Sequence, residues 1–312
     1  MSVAKSIRSC MKTGLVLALS LVLMSSPVAV AAEKRDSLTL SPASKRLQLE
    51  AGGVVNDSFV VINDGDTSYD FTVYTAPYSV KGEDYEQDFT TQTENSDAYK
   101  WISFAQSKWH AEPGDNVTIP FTVRVGAGVP AGGHYGTIFV ETIVTEAGDQ
   151  TGIARKKRLG IILYTNVKGE TESGGQVKSV SLDFFQPASP MKSDVSIENT
   201  GKTDFTATSR MVVKDIFGQQ KFSTSSENII LPKTTRHIEH SWNNSPWLGI
   251  FRVTVTNEVL GKTTTTESLV LVVPRWLLLV IGVLALVGGG ECAAQKACTH
   301  ASSTHLSYAS VY

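Results

Sequence analysis

The chain has 312 residues, a formal net charge of −2 and a hydrophobic content of 41%. A charge so near balance excludes strong non-specific attraction to nucleic acid. The three cysteines, Cys10, Cys292 and Cys298, sit near the two ends, so no disulfide can staple the long middle of the chain.

The chain opens on the order expected of a secretory signal. Lys5, Arg8 and Lys12 supply charge, Leu15–Met24 is apolar, and Ala29-Val30-Ala31 is a small-x-small cleavage site. Residues 1–32 are therefore expected to be a signal peptide, with the mature chain starting near Ala32. Cys10 precedes the apolar core and lacks a lipoprotein-box context.

Residues 37–168 read as a first β-sandwich domain. Expected strands are Leu38–Leu40, Arg46–Leu49, Ser58–Asn63, Tyr69–Ala76 and Trp101–Phe104. The clearest strand starts at Asn116. Val117, Ile119, Phe121, Val123 and Val125 alternate with Thr118, Thr122 and Arg124, the pattern of a half-buried strand. Pro120 cannot donate to a ladder, so this strand is expected to lie at an edge or to bulge there. A break at Gly126–Pro130 leads through Ala131-Gly132-Gly133-His134-Tyr135-Gly136 into an expected strand Thr137–Val144, and Leu159–Val167 closes the domain. No helical periodicity of any length appears, and short strands between turn residues indicate a sandwich. The run Arg155-Lys156-Lys157-Arg158 suits a charged edge that blocks sheet pairing, or a contact with an anionic wall polymer.

Gly169–Gly174 has no apolar residue and reads as a linker. Residues 175–273 form a second expected sandwich that repeats features of the first in the same order. Asn63-Asp64-Gly65 before Phe71-Thr72 returns as Asn199-Thr200-Gly201 before Phe205-Thr206. Gly133-His134-Tyr135 returns as Gly249-Ile250-Phe251. Asn and Gly in the first pair are expected to supply positive φ. Both halves thus read as one plan, used twice. Only the first carries a long polar insert, Pro77–Lys100, with Glu83, Asp84, Glu86, Asp88, Glu94 and Asp97. Such an insert is either a solvated loop or functional.

Pro274-Arg275-Trp276 precedes the apolar run Leu277–Gly290. The run is shorter than the roughly twenty residues of a spanning helix, but Arg275 and Trp276 suit a membrane interface. Residues 274–290 are therefore expected to be a transmembrane anchor, and residues 291–312 a tail without an assignable role. Cys292 and Cys298 do not have the spacing of a zinc pair.

Enzyme motifs are absent from the sequence: there is no Gly-x-Ser-x-Gly elbow, no HExxH and no phosphate-cradling glycine loop. His237 and His240, three apart on an expected strand, face opposite sides and do not make a metal pair. No catalytic residue, metal or cofactor is expected. Aromatics crowd the ends of the insert: Tyr74, Tyr78, Tyr85, Tyr99, Trp101 and Trp109. Aromatic rings on loops offer stacking faces for sugars, so Tyr78, Tyr99, Trp101 and Trp109 are the candidate ligand-binding residues.

Taken together, Leu40-Ser41-Pro42, Gly52-Gly53, the Asn63 turn, Pro113-Gly114 and Pro130-Ala131-Gly132-Gly133-His134-Tyr135-Gly136 resemble a known pattern. With the second sandwich and the Pro-Arg-Trp entry to a terminal helix, the chain resembles the WxL-interacting bacterial surface proteins that carry a peptidoglycan-binding domain. That resemblance implies an immunoglobulin-like first domain that binds peptidoglycan and a second domain that meets a partner surface protein. The expectation is an all-β protein of two tandem immunoglobulin-like sandwiches, held in the cell membrane by a single C-terminal helix with both sandwiches extracytoplasmic. It would act as a non-catalytic binder of peptidoglycan or another cell-wall glycan, of a partner surface protein, or of both. The alternative is a chaperone-like or adhesive protein that binds a polypeptide strand by sheet-edge pairing.

Overall fold

The computed structural model describes residue 35, residues 37–143 and residues 156–284. The expected signal peptide, Arg155 and the tail after residue 284 lie outside the described residues.

The described chain is almost entirely strand. In the first half the strands are β1 (Thr39–Ser41), β2 (Ser44–Leu49), β3 (Val54–Ile62), β4 (Tyr69–Pro77), β5 (Ser79–Lys81), β6 (Glu86–Asp88), β7 (Ile102–Phe104), β8 (Lys108–Ala111), β9 (Asn116–Arg124), β10 (Gly132–Thr142) and β11 (Arg158–Val167). The second half holds β12 (Gly175–Ser181), β13 (Phe185–Gln186), β14 (Met191–Asn199), β15 (Phe205–Asp215), β16 (Gln220–Ile230), β17 (Thr235–Trp242), β18 (Gly249–Val259) and β19 (Lys262–Val272).

Each half closes into a sandwich, consistent with immunoglobulin-like folds. In the first, the sheet β1-β3-β9-β7 faces the sheet β2-β11-β10-β4-β8. In the second, β12-β14-β17 faces β13-β19-β18-β15-β16. The alternation of β9 is realised: Ile119, Phe121 and Val123 are buried, while Thr118 and Arg124 are exposed. They meet Phe59, Phe71, Ile138 and Leu163 from the other strands. The second core gathers Met191, Ile197, Met211, Ile230, Val253 and Val255. Burying one such side chain contributes about 1.5–3 kcal/mol, so these apolar cores account for sandwiches with no disulfide between their sheets.

The common plan extends to topology. In each half a short early strand pairs parallel with the last strand, β2 with β11 and β13 with β19, while every other pairing is antiparallel. Asn63 and Asn199 are buried equivalents. Asn63 Nδ2 donates to the carbonyls of Thr67 at 2.8 Å and Glu112 at 3.1 Å, and its Oδ1 accepts from the Gly65 amide at 3.1 Å. Asn199 repeats this with Thr203 at 2.8 Å, Ile230 at 2.9 Å and Gly201 at 2.8 Å. The expectation of positive φ at these turns is corrected. Neither Asn, and neither Gly65 nor Gly201, is among the left-handed residues. The asparagines bind the turn through their side chains. The glycines are needed for space, since a Cβ on Gly65 would lie 2.6 Å from the Arg35 carbonyl and one on Gly201 2.8 Å from the Glu172 carbonyl.

Other expectations change in detail. β9 is an edge only over its first half: it pairs with β3 along its length but with β7 only through residues 121–123, so the β7 side is open at Pro120. Pro120 is tolerated because β7 ends opposite Phe121. β5 and β6 pair within the long insert, and β8 was not expected at all, being short and polar at both exposed positions. Residues 275–284 are helical and almost wholly exposed, and among the described residues no helix is long and apolar enough to cross a membrane. The remainder of the expected anchor lies outside the described residues.

Candidate functional site

The residues that the sequence marks out do not assemble into one exposed aromatic face. Trp101 leans on the first core and packs against the His134 ring at 4.9 Å. Trp109 sits on β8 opposite buried Phe71 and packs on the same core, its indole N–H bound to the Gln106 carbonyl at 3.2 Å. Tyr99 is half-buried, with the Lys100 ammonium 5.6 Å from its ring. Tyr78 is buried where the two sandwiches meet, in a cluster with Tyr135, Tyr164 and Leu231.

That meeting place explains the Gly-Gly-His-Tyr-Gly motif. The Gly133 amide donates to the Lys202 carbonyl of the second sandwich at 2.9 Å. Tyr135 reaches across and donates its hydroxyl to Asp204 at 3.0 Å, while the Asp204 amide donates back at 3.1 Å. Arg46 completes the contact with a 2.6 Å ion pair to the same carboxylate. Burial, then the adjacent Asp204 carboxylate, pushes the Tyr135 phenol far above its ordinary range, so it stays a donor. Gly133 is required because a Cβ there would lie 2.0 Å from the Tyr135 hydroxyl. The matching Gly249 faces the Phe251 ring at 2.8 Å in the same way. The shared Gly-x-aromatic pattern is therefore an aromatic ring folded over its own glycine.

The insert also belongs to this contact. Tyr85, at φ 61°, projects from the β5–β6 hairpin. Its hydroxyl accepts the Leu231 amide at 2.8 Å and bonds Thr234, and the Arg236 guanidinium lies 4.5 Å from its ring. The Glu83 carbonyl accepts the His237 amide at 2.7 Å. The insert is thus a clasp onto the second sandwich, not a free acidic loop. Beside it, two adjoining hollows of 140 and 250 Å³ share Glu94, Asn95, Pro232 and Lys233. Neither is large enough for a drug-sized ligand.

Three histidines show how environment sets charge. Burial lowers the His134 imidazole, but Asp97 at 2.7 Å and the Pro130 carbonyl at 3.1 Å outweigh it, and the net shift is upward. Both ring nitrogens face acceptors, which fits an imidazolium. His110 is raised by Asp70 and then Glu112, which flank its ring at 2.7 and 3.1 Å. Burial lowers His240. Ser209 donates to Asn257 at 2.6 Å and stands 2.8 Å from His240 Nε2, so that nitrogen must be the donor to Ser209. This Ser–His pair is sealed in the second core, with all three residues buried. It fixes a polar crossing of the sandwich and offers no nucleophile to a substrate. His237 faces the other way and pairs with Asp194 at 3.0 Å. Among the described residues no three His, Cys, Asp or Glu side chains are placed to hold a metal ion.

A wider opening lies on one flank of the second sandwich. The opposite flank, between β16 and β17, is shut by the stacked rings of Phe222 and Trp242 and by Arg236 bound to the Ile229 carbonyl at 2.9 Å. Between β12 and β19 no such bridge exists among the described residues, and a groove of 530 Å³ runs between them. Val177, Val180, Val259, Lys262, Thr264 and Thr266 line it. Both strands are edges here. β12 pairs only with β14, and β13 covers β19 only at Leu271 and Val272. The Leu271 and Val273 amides point outward to Phe184 and Gln186. By strand alternation, the amides of Thr263, Thr265, Glu267 and Leu269 point the same way, beyond the end of β13. β12 carries a bulge between Val177 and Ser179, a device that discourages casual pairing on its side. No sequence reading singled out this flank, because an open edge depends on which strands fail to meet, and a strand's own pattern does not record that.

No family model matches the chain, and no curated protein matches it. Solved structures with a similar course include the class 5 fimbriae chaperone CfaA, at 14% identity and TM-score 0.39 over 76% of this chain and 100% of that one. The Escherichia coli chaperone DraB is similar at 12% identity and TM-score 0.38, over 74% and 98%. The CsuC–CsuE chaperone–tip adhesion subunit complex of Acinetobacter baumannii gives 11% identity and TM-score 0.38, over 75% and 98%.

Proposed function

We propose that this protein is a non-catalytic, surface-held binding protein that captures an extended polypeptide segment along the open β12/β19 flank of its second sandwich. The observation that carries this reading is the run of outward amides on β19 beyond β13, facing the β12 edge across a groove. An added strand would take its affinity from main-chain hydrogen bonds and its selectivity from side chains reaching Val177 and Val180 in the groove. The clasp fastens the first domain to the sandwich that carries this edge. A partner surface protein, which the resemblance to WxL-interacting proteins also implies, is a ligand of this class. A glycan platform built on Tyr78, Tyr99, Trp101 and Trp109 has less support, because Tyr78, Trp101 and Trp109 are committed to packing.

The test places a photo-crosslinking amino acid at Thr265 in the producing cells, with and without Glu267→Pro. The proline removes an outward amide without touching the β18 ladder. The expected result is a polypeptide adduct that maps to one extended partner segment and is lost in the proline variant. Retention of the purified chain by sacculi with no polypeptide adduct would overturn the reading in favour of glycan binding.

A further inference from the structure

The end of the second sandwich away from the first domain carries an unusual surface. The register brings four segments to that end: Asp215 lies opposite Phe251, Gly249 opposite Val272, and Phe185 opposite Leu271. The β15–β16 turn, the loop before β18, the exit of β19 and the segment entering β13 are therefore neighbours. Five large apolar side chains are exposed there. Phe217 is 88% exposed, Ile216 67%, Phe184 65%, Trp247 61% and Trp276 57%.

The turn is built to present two of these residues. The Asp215 carboxylate accepts the Phe217 and Gln219 amides, both at 2.9 Å, and Gly218 takes φ 81°. Lys221 pairs with the same carboxylate at 3.1 Å. Hairpin tips are normally polar, and a fixed tip with two projecting apolar side chains marks a contact surface. Trp247 stacks on Trp276 at 6.3 Å, tying the loop before β18 to the first turn of the C-terminal helix. Along that helix Leu279, Ile281, Val283 and Leu284 are all exposed.

We propose that this end of the sandwich rests on a lipid bilayer, with the Ile216-Phe217 tip and the Trp247–Trp276 pair seated among the headgroups. The proposal rests on reading residues 274–290 as a membrane anchor, which places the bilayer at this end of the domain. The apolar sequence Leu277–Gly290 begins where the patch lies. Trp and Arg at the entry are the residues favoured at the interface. Lys214 and Arg252, paired across β15 and β18 at this end, and Arg275 add cations suited to anionic headgroups. The open β12/β19 edge would then stand at a fixed height and orientation above the membrane.

The experiment uses the full chain with its three cysteines replaced by serine, and an environment-sensitive fluorophore at Phe217→Cys. Thr118→Cys, exposed on β9 of the first sandwich, is the control. The vesicles are phosphatidylcholine and phosphatidylglycerol, with or without brominated acyl chains. Interfacial groups sit about 5–10 Å into the headgroup–acyl boundary, so brominated lipid should quench the Phe217 label by roughly half and leave the Thr118 label unchanged. A chain that floats with vesicles but whose Phe217 label is unquenched would overturn this proposal and leave the anchor standing. A blue-shifted but unquenched label would overturn it in favour of a protein contact. A chain that does not float would overturn both the proposal and the anchor.

Discussion

Removing one oxygen atom tests the clasp between the sandwiches. In Tyr85→Phe the ring, its Arg236 contact and the left-handed backbone all remain. What is lost is the acceptor for the Leu231 amide, 2.8 Å away on a buried residue. A buried N–H left without a partner costs about 1–3 kcal/mol. Thr234 loses a partner as well: its own hydroxyl donates to the Leu231 carbonyl at 2.8 Å, so in its contact with Tyr85 it is the acceptor, and the phenylalanine has no proton to give it. Tyr85→Gly separates the contributions further. It relieves a left-handed conformation that costs an L-residue about 1–2 kcal/mol, but it deletes a half-buried ring, whose full burial would contribute about 1.5–3 kcal/mol, and a cation–π contact worth about 0.5–2 kcal/mol. Both variants should therefore be destabilised. Urea denaturation followed by tryptophan fluorescence reads the total, and amide exchange at Leu231 reads the site. An unchanged midpoint with unchanged Leu231 protection in Tyr85→Phe would refute the argument that the insert fastens the domains.

Gly133→Ala should destabilise by about 1–3 kcal/mol, the usual cost of overpacking, and lower the melting temperature, because its Cβ would fall 2.0 Å from the Tyr135 hydroxyl. Trp109→Ala should cost stability in thermal melts, since the ring packs on the first core, while sacculus retention per folded molecule stays unchanged. His134 has a folded pKa raised above the usual 6.5, so its stabilisation is complete below 6.5 and fades as pH rises through the folded value. Asp97→Asn should flatten that limb of a stability–pH curve. His240 has the opposite sign: its folded pKa is lowered, so stability falls as pH drops below about 6.5 and the unfolded chain gains the proton. His240→Gln should remove this acid limb while leaving the alkaline one.

Strand content was legible wherever one face is buried. β9 shows its alternation because Ile119, Phe121 and Val123 all enter the core. The duplicated plan was legible as well, through Asn63 and Asn199, although the reason assigned to them was backbone freedom when the structure shows side-chain bonds. β8 escaped notice because its inward residues are Trp109 and Ala111, separated by polar His110, with nothing aliphatic to set a period. Along β16, Gln220–Glu227 carries a single apolar residue, Phe222, so that part of an edge strand sets no period. The burial of Tyr78, one of the candidate aromatics, was hidden for a different reason. In the linear chain it stands at the edge of a polar insert, and in the fold it is buried in a cluster with Leu231 of the second sandwich. No local pattern encodes a domain interface of that kind, just as none encodes the gap between β12 and β19.

The open edge is most directly tested by residue-resolved amide exchange along β19. In the free, purified chain the amides of Thr263, Thr265, Glu267 and Leu269 should exchange rapidly, while those of Thr264, Thr266 and Ser268, directed at β18, are protected. Addition of the cross-linked partner segment as a synthetic peptide should slow the first set and leave the second unchanged. Protection of both sets in the free chain, or no change with the peptide, would contradict the account.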